Sequence, residues 1–117
     1  MAKVKQITVQ VENTPGAAAG VARVLGYAKV NLLAVACIGQ GAQGTLHFVV
    51  DNANKAKKAL GQAAIAFGES AVEQVELPNT PGALAKHLEK LASKGTNLSV
   101  IYATAAKGSR KATVVLG

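Results

Sequence analysis

The tetrapeptide Asn-Thr-Pro-Gly occurs twice in the 117-residue chain, at residues 13–16 and at residues 79–82. Its residue types suit the start of a helix, because proline has a φ angle near the helical value and Asn13 or Thr14 can accept hydrogen bonds from free N–H groups. Glycine, without a Cβ, lets another group approach the backbone closely. Since a helix N-terminus favours negative charge, each tetrapeptide is either an ordinary capped turn or a pocket for a carboxylate or phosphate.

The other reactive side chains do not assemble into a catalytic or metal-binding pattern. Cys37 lies in an apolar stretch with no His or second Cys nearby, which predicts a buried, unreactive side chain. His87 is predicted to be partly buried on an apolar helix face, with a ligand contact as the alternative, and His47 to be solvated or interfacial. The carboxylates are scattered, so acid–base catalysis has no support and we expect no enzyme, metal site or cofactor.

Residues 39–44 match the G-x-G-x-x-G pattern of dinucleotide-binding loops. That pattern binds a pyrophosphate only when a helix follows, because the helix N-terminus meets the phosphates. Here Thr45–Val50 reads as a strand, so the sequence predicts a hairpin loop.

The two tetrapeptides belong to a longer internal repeat. An offset of 66 residues aligns residues 7–51 with residues 73–117 without a gap. Further identical positions are Val9 with Val75, Leu25 with Leu91, Asn31-Leu32 with Asn97-Leu98, and Val49 with Val115. Apolar spacing agrees where identities end, so each tetrapeptide is expected to occupy the same place in a repeated structural unit.

Each repeat reads as a strand, the tetrapeptide turn, a helix, a second strand, a loop and a third strand. The predicted strands are residues 7–11, 32–38 and 45–51 in the first repeat and residues 75–77, 98–104 and 111–116 in the second. The helices are expected to end near Lys29 and near Gly95. A second helix, capped by Asn52 or Asn54, is predicted only in the first repeat.

This order predicts an α+β fold of the ferredoxin-like βαββαβ plan, with antiparallel sheets and helices on one face. The predicted domains are residues 1–69 and residues 70–117. The second lacks the last helix and strand, so we expect it to depend on the first unit or on a second chain. The strand at residues 71–77 is either the last of the first unit or the first of the second.

The two motifs together resemble the ACT domain family, in two tandem copies that cover nearly the whole chain. The most typical stretch is residues 79–103, from Asn-Thr-Pro-Gly through the helix to the Asn-Leu pair. The resemblance implies a regulatory module that binds an amino acid at interfaces between paired domains, within a homodimer or higher homo-oligomer. The ligand-binding residues that it implies are Asn13, Thr14, Pro15, Gly16, Asn31, Leu32, Asn79, Thr80, Pro81, Gly82, Asn97 and Leu98.

Composition bounds the competing functions. The net charge of +7 is spread along the chain, which fits either solubility or weak attraction to anionic ligands. Binding of RNA needs aromatic side chains on the sheet, and only Phe48 and Tyr102 could serve. An assembly module that binds no small molecule stays open as the main alternative. A single cysteine and the absence of a signal-peptide or membrane-spanning pattern predict a cytoplasmic protein with no membrane partner.

Overall fold

The computed structural model describes residues 2–117. Its elements in chain order are β1 (Ala2–Glu12), α1 (Ala17–Tyr27), β2 (Leu32–Gln40), β3 (Gln43–Val50), α2 (Ala53–Gln62), β4 (Gly68–Pro78), α3 (Ala83–Ser93), β5 (Ile101–Thr104) and β6 (Lys111–Leu116). This order confirms the α+β fold with antiparallel ferredoxin-like repeats. Over residues 2–117, no helix has the length and apolar character to cross a membrane.

The chain divides into two compact units. The N-terminal unit comprises Lys5–Ser70, and the C-terminal unit comprises Ala71–Gly117 with residues 2–4. Because β1 and β4 each contribute residues to both units, neither strand belongs wholly to one of them. The domain limits of 1–69 and 70–117 stay a prediction.

The N-terminal unit has a sheet of order β2-β3-β1, covered on one face by α1 and α2. The strands are antiparallel, and Phe48 in the central strand pairs with Ile7 on one side and Val35 on the other. Phe48 and Ile7 are among the largest fully buried side chains. The buried core consists of Ile7, Val9, Val21, Leu25, Val30, Leu46, Phe48, Val50, Ala56 and Leu60. Alternate strand residues meet one stripe of each helix, as the two periodicities require.

The C-terminal unit repeats the arrangement with the order β4-β6-β5 and a single helix, α3. Its buried core is smaller and consists of Leu91, Val114 and Leu116, with Val75, Leu77, Leu88 and Leu98 packed against them. Less apolar area is removed from water than in the N-terminal unit, so less hydrophobic stabilisation is available to it.

The gap-free alignment of the repeats is wrong in the last strand. Val35 precedes its counterpart Ile101 by 66 residues, whereas the partner strand residue Phe48 precedes its counterpart Leu116 by 68. Val115 therefore corresponds to His47 and not to Val49. The physical reason is two additional residues in the loop between β5 and β6, since loops accept insertions more readily than strands do.

A β-bulge begins the second strand of both units. In the N-terminal unit the pairing of β2 with β3 shifts between Leu32 and Ala34. At the equivalent place the N–H groups of Ser99 and Val100 both donate to the carbonyl of Gly117, at 2.7 and 2.9 Å. Two residues thus face one, which is the definition of a bulge. Regular pairing of β5 consequently begins at Ile101, three residues after the predicted start.

The G-x-G-x-x-G stretch forms a hairpin, as predicted. Strand β2 continues to Gln40 and β3 begins at Gln43, with Gly39 paired to Gly44. Gly41 turns the chain with a φ of 62°, a conformation that glycine adopts without steric cost.

The prediction that Cys37 is buried is wrong, because its side chain is exposed. Strand β2 is an edge strand of its unit, and the helical layer leaves much of it uncovered. Val35 and Ile38 on the same strand are 53% and 62% exposed. An apolar sequence run therefore did not mean burial at this edge.

Candidate functional site

The Asn-Thr-Pro-Gly turns of both units have the same backbone. The N-cap residues are Gly16, with a φ of 87°, and Gly82, with a φ of 86°. Helices α1 and α3 begin at the alanines that follow. Neither helix start receives a side-chain hydrogen bond at its cap. The predicted capping by Asn13 or Thr14 is therefore wrong, and Pro15 precedes the cap instead of opening the first helical turn.

The asparagine of each turn binds the neighbouring hairpin instead. The backbone N–H of Asn13 donates to the carbonyl of Ala42, and its side-chain Nδ2 donates to the carbonyl of Gly41, both at 2.9 Å. This pair of hydrogen bonds joins the turn to the tip of the hairpin between β2 and β3.

The C-terminal unit repeats this arrangement. The N–H of Asn79 donates to the carbonyl of Arg110, and Nδ2 of Asn79 donates to the carbonyl of Ser109, again at 2.9 Å. The acceptors lie 68 residues after their counterparts, which agrees with the two-residue insertion in this hairpin. We call this pair of hydrogen bonds the asparagine clamp.

Gly39 leaves room for the first clamp. A Cβ built at Gly39 would lie 2.9 Å from Nδ2 and Oδ1 of Asn13, closer than real Cβ contacts. The first glycine of the G-x-G-x-x-G stretch is thus explained by packing against Asn13.

The glycines of the two turns have a different role. A Cβ at Gly16 or Gly82 would meet no atom within 4 Å, so the space beside each turn is open. What requires glycine is the positive φ angle, which L-residues with a side chain rarely adopt. The backbone at each turn is therefore accessible to a small ligand.

The Asn-Leu pairs lie far from the turns of their own units. Leu32 pairs with Val50, whereas Glu12, which leads into the first turn, pairs with Gln43 at the other end of β3. Seven residues of strand span roughly 23 Å. The N–H of Asn31 donates to Oδ1 of Asp51 at 3.0 Å. The structure thus does not bring Asn31-Leu32 together with residues 13–16 inside one unit.

The corresponding residues of the C-terminal unit line a separate small cavity. Asn97 and Leu98 border a volume of 200 Å³ together with Glu73. Oε2 of Glu73 is buried and has no hydrogen-bond partner. Leu98 also packs against the core of this unit.

A cleft of 520 Å³ lies beside the second turn. It is lined by Thr80, Pro81, Gly82 and Ala83, by Leu77 and Pro78 at the end of β4, and by Lys86, His87 and Lys90 on α3. We call it the C-terminal cleft. Three of the predicted site residues thus border one cavity, next to three basic side chains.

His87 lines this cleft and is half-buried, as its place on the helix predicted. Its Nε2 is buried and has no hydrogen-bond partner. Sequence reasoning did not select Lys86 and Lys90, although their i, i+4 spacing after the turn places them on one helix face.

His47 lies on the sheet of the N-terminal unit and is half-buried. Its Nδ1 is 3.2 Å from Oγ1 of Thr8 on the neighbouring strand. Within residues 2–117 no three His, Cys, Asp or Glu side chains are grouped to hold a metal ion.

Comparison with known proteins follows the geometry. The family model described as an ACT domain pair matches residues 2–115. A protein of known structure from Bacteroides thetaiotaomicron is 32% identical, with a TM-score of 0.90 over 98% of this chain and 78% of that chain. The ligand-free regulatory subunit of aspartate kinase from Thermus thermophilus is 22% identical, with a TM-score of 0.71 over 97% of this chain and 82% of that chain.

The regulatory subunit of aspartate kinase from Thermus flavus is also 22% identical, with a TM-score of 0.69 over 97% and 82% of the two chains. At this level of identity the two kinase subunits share the fold. Comparison with curated proteins gives no match.

Proposed function

This chain belongs to the ACT domain family as a pair of ACT domains, and we propose on that premise that it binds an amino acid at its Asn-Thr-Pro-Gly turns. ACT domains are regulatory modules and not catalytic ones. In our proposal the bound amino acid changes the behaviour of a partner protein, and the chain itself catalyses no reaction.

The observation that supports this proposal is the uncapped helix start, which occurs in both units. The first N–H groups of a helix have no partner within the helix and are normally satisfied by a side chain, water or a ligand. Here the asparagine that could cap the helix is bound to the hairpin, and the space beside the glycine is open. The α-carboxylate of an amino acid is a suitable acceptor for these donors.

We propose that the opposite wall of each ligand site comes from a second copy of the chain. The Asn-Leu pairs cannot face the turn of their own unit, because the length of a strand separates them. The exposed apolar residues Val35 and Ile38 on edge strand β2 give the chain a surface that a second copy can cover. A two-fold dimer would present the same strand from both copies.

A thermal-shift screen of the twenty amino acids tests the proposal. A ligand that binds the folded state stabilises it by mass action, by about 2.7 kcal/mol at a concentration one hundred times the Kd. We expect one amino acid, or a chemically related few, to raise the Tm. If none of the twenty raises it at millimolar concentration, the proposal is wrong.

An assembly module without a ligand is the second candidate, and the exposed apolar edge of β2 favours it. Binding of RNA has less support. Phe48 is only 1% exposed and cannot stack on a base. Tyr102 is half-buried, and burial raises the pKa of its phenol to about 12.

A further inference from the structure

The two turns share a backbone but differ in the charge of the helix that follows. Position by position, Lys86, His87 and Lys90 on α3 correspond to Gly20, Val21 and Val24 on α1. The first turn is therefore followed by small and apolar residues, and the second by a basic cluster. All three basic side chains line the C-terminal cleft.

The positive charge in this cleft is not neutralised by the protein. No carboxylate is among the residues that line the cleft. Neither Lys86 nor Lys90 forms an ion pair in the described part of the chain. Lys86 also lies near the start of α3, where the helix dipole already contributes partial positive charge and a cation is unfavourable.

The orphaned nitrogen of His87 provides an independent observation. A buried polar atom without a hydrogen-bond partner is unfavourable, and such atoms are rare in folded proteins. Nε2 of His87 is such an atom, on a side chain that lines the same cleft. An oxygen atom of a ligand would supply the missing partner.

We propose that the C-terminal cleft selects an acidic amino acid, whose side-chain carboxylate lies between Lys86 and Lys90. Side chains four residues apart on a helix are neighbours, so both lysines can contact one carboxylate. The α-carboxylate of the same ligand meets the uncapped start of α3. This inference rests on the proposed function and adds the charge of the ligand. The N-terminal turn, which lacks these cations, does not share the preference.

Isothermal titration of the full chain with L-aspartate, L-glutamate, L-asparagine and L-glutamine tests the ligand class. The two amides match the two acids in size and lack only the side-chain charge. We expect one of the acids to bind at least about tenfold more tightly than its amide, the effect of one charge-assisted hydrogen bond.

The double variant K86Q/K90Q tests the location of the preference, and we expect the acid and the amide to bind it equally. The matched control is K55Q/K58Q, which removes the same charge from exposed positions on α2 and should keep the preference. Amide chemical shifts of residues 82–90, followed by NMR during titration with the acid, give a second readout that needs no variant.

The outcomes separate the two proposals. If a neutral amino acid binds and neither acid exceeds its amide, the acidic ligand is wrong and the proposed function stands. If K86Q/K90Q keeps the preference, or K55Q/K58Q loses it equally, the cleft is not its origin. If none of the twenty amino acids binds, both proposals fail.

Discussion

Asn13 and Asn79 join turn to hairpin because an asparagine offers a backbone donor and a side-chain donor to two successive carbonyls. Local sequence predicted a different role, capping of the helix by the same residue. The prediction failed because the acceptors lie about thirty residues away in the chain, and nothing in the tetrapeptide reveals that the hairpin will meet it. The accessible glycine, by contrast, followed directly from the residue type.

Replacing either asparagine by aspartate should destabilise the protein. In Asn13→Asp or Asn79→Asp, a carboxylate oxygen replaces the donor and faces a carbonyl oxygen. We expect a loss of about 1–3 kcal/mol in the free energy of unfolding, measured by urea denaturation. Asn54→Asp is the control, because Asn54 is exposed in the first turn of α2, where a negative charge is tolerated. Equal stability of all three variants would contradict the asparagine clamp.

The turn glycines allow a test that separates backbone strain from ligand contact. Gly82→Ala and Gly95→Ala both place a Cβ at a positive φ angle, at opposite ends of α3. Each should lower the free energy of unfolding by about 1–2 kcal/mol. Only Gly82→Ala should also weaken binding of the amino acid found in the thermal-shift screen. Equal ligand affinity of the two variants would remove the turn from the site.

The order of strands and helices could be predicted because it depends on local patterns. Alternating apolar residues mark the strands, and apolar residues three and four apart mark the helices. The register of β6 could not be predicted. A shift of two residues leaves every side chain on the same face of the sheet, so the wrong alignment preserved the apolar pattern. Only the pairing of Ile101 with Leu116 reveals the insertion.

Strand β4 and helix α2 are linked by an ion pair that makes a pH-dependent contribution to stability. The side-chain hydrogen bond from Lys57, at 3.0 Å, lowers the pKa of Glu69, and the nearby charge of Lys5 adds to the effect. Because the pKa is lowered in the folded state, the pair contributes stability above the unfolded pKa. It loses that stability as the pH falls through the folded value.

Lys57→Met should therefore raise the pKa of Glu69 toward its ordinary value. NMR titration of the Glu69 carboxyl carbon measures this shift. The control, Lys58→Met, removes a charge from an exposed neighbouring position and should leave the titration unchanged. The stability of Lys57→Met should also fall less on acidification than that of the parent chain. An unchanged midpoint for Glu69 in Lys57→Met would contradict the assignment.

At the scale of the whole molecule, the two units are unequal. The N-terminal unit has two helices and the larger buried core, and the C-terminal unit has one helix and a core built on Leu91, Val114 and Leu116. Their membership of one ACT domain pair was predictable, because the repeated motifs carry it. The exposure of Val35, Ile38 and Cys37 was not, because a sequence does not show which strand will lie at an edge.

A charge on the exposed edge should separate the copies of the proposed dimer. In Val35→Lys, association along β2 would bury an unpaired cation, which is strongly unfavourable. We expect the parent chain to sediment as a dimer at micromolar concentration and the variant as a monomer. Tyr27→Lys, at a position that is 82% exposed at the end of α1, is the control and should remain dimeric. A monomeric parent chain would overturn the dimer.

The asparagine clamp has a consequence for how the hairpins can diverge. Its acceptors are backbone carbonyls in both units, so the clamp does not depend on which side chains the hairpin carries. The two hairpins already differ in length and composition while they hold identical turns. Each hairpin is therefore an exchangeable cassette, which evolution or a designer can rewrite next to an unchanged turn.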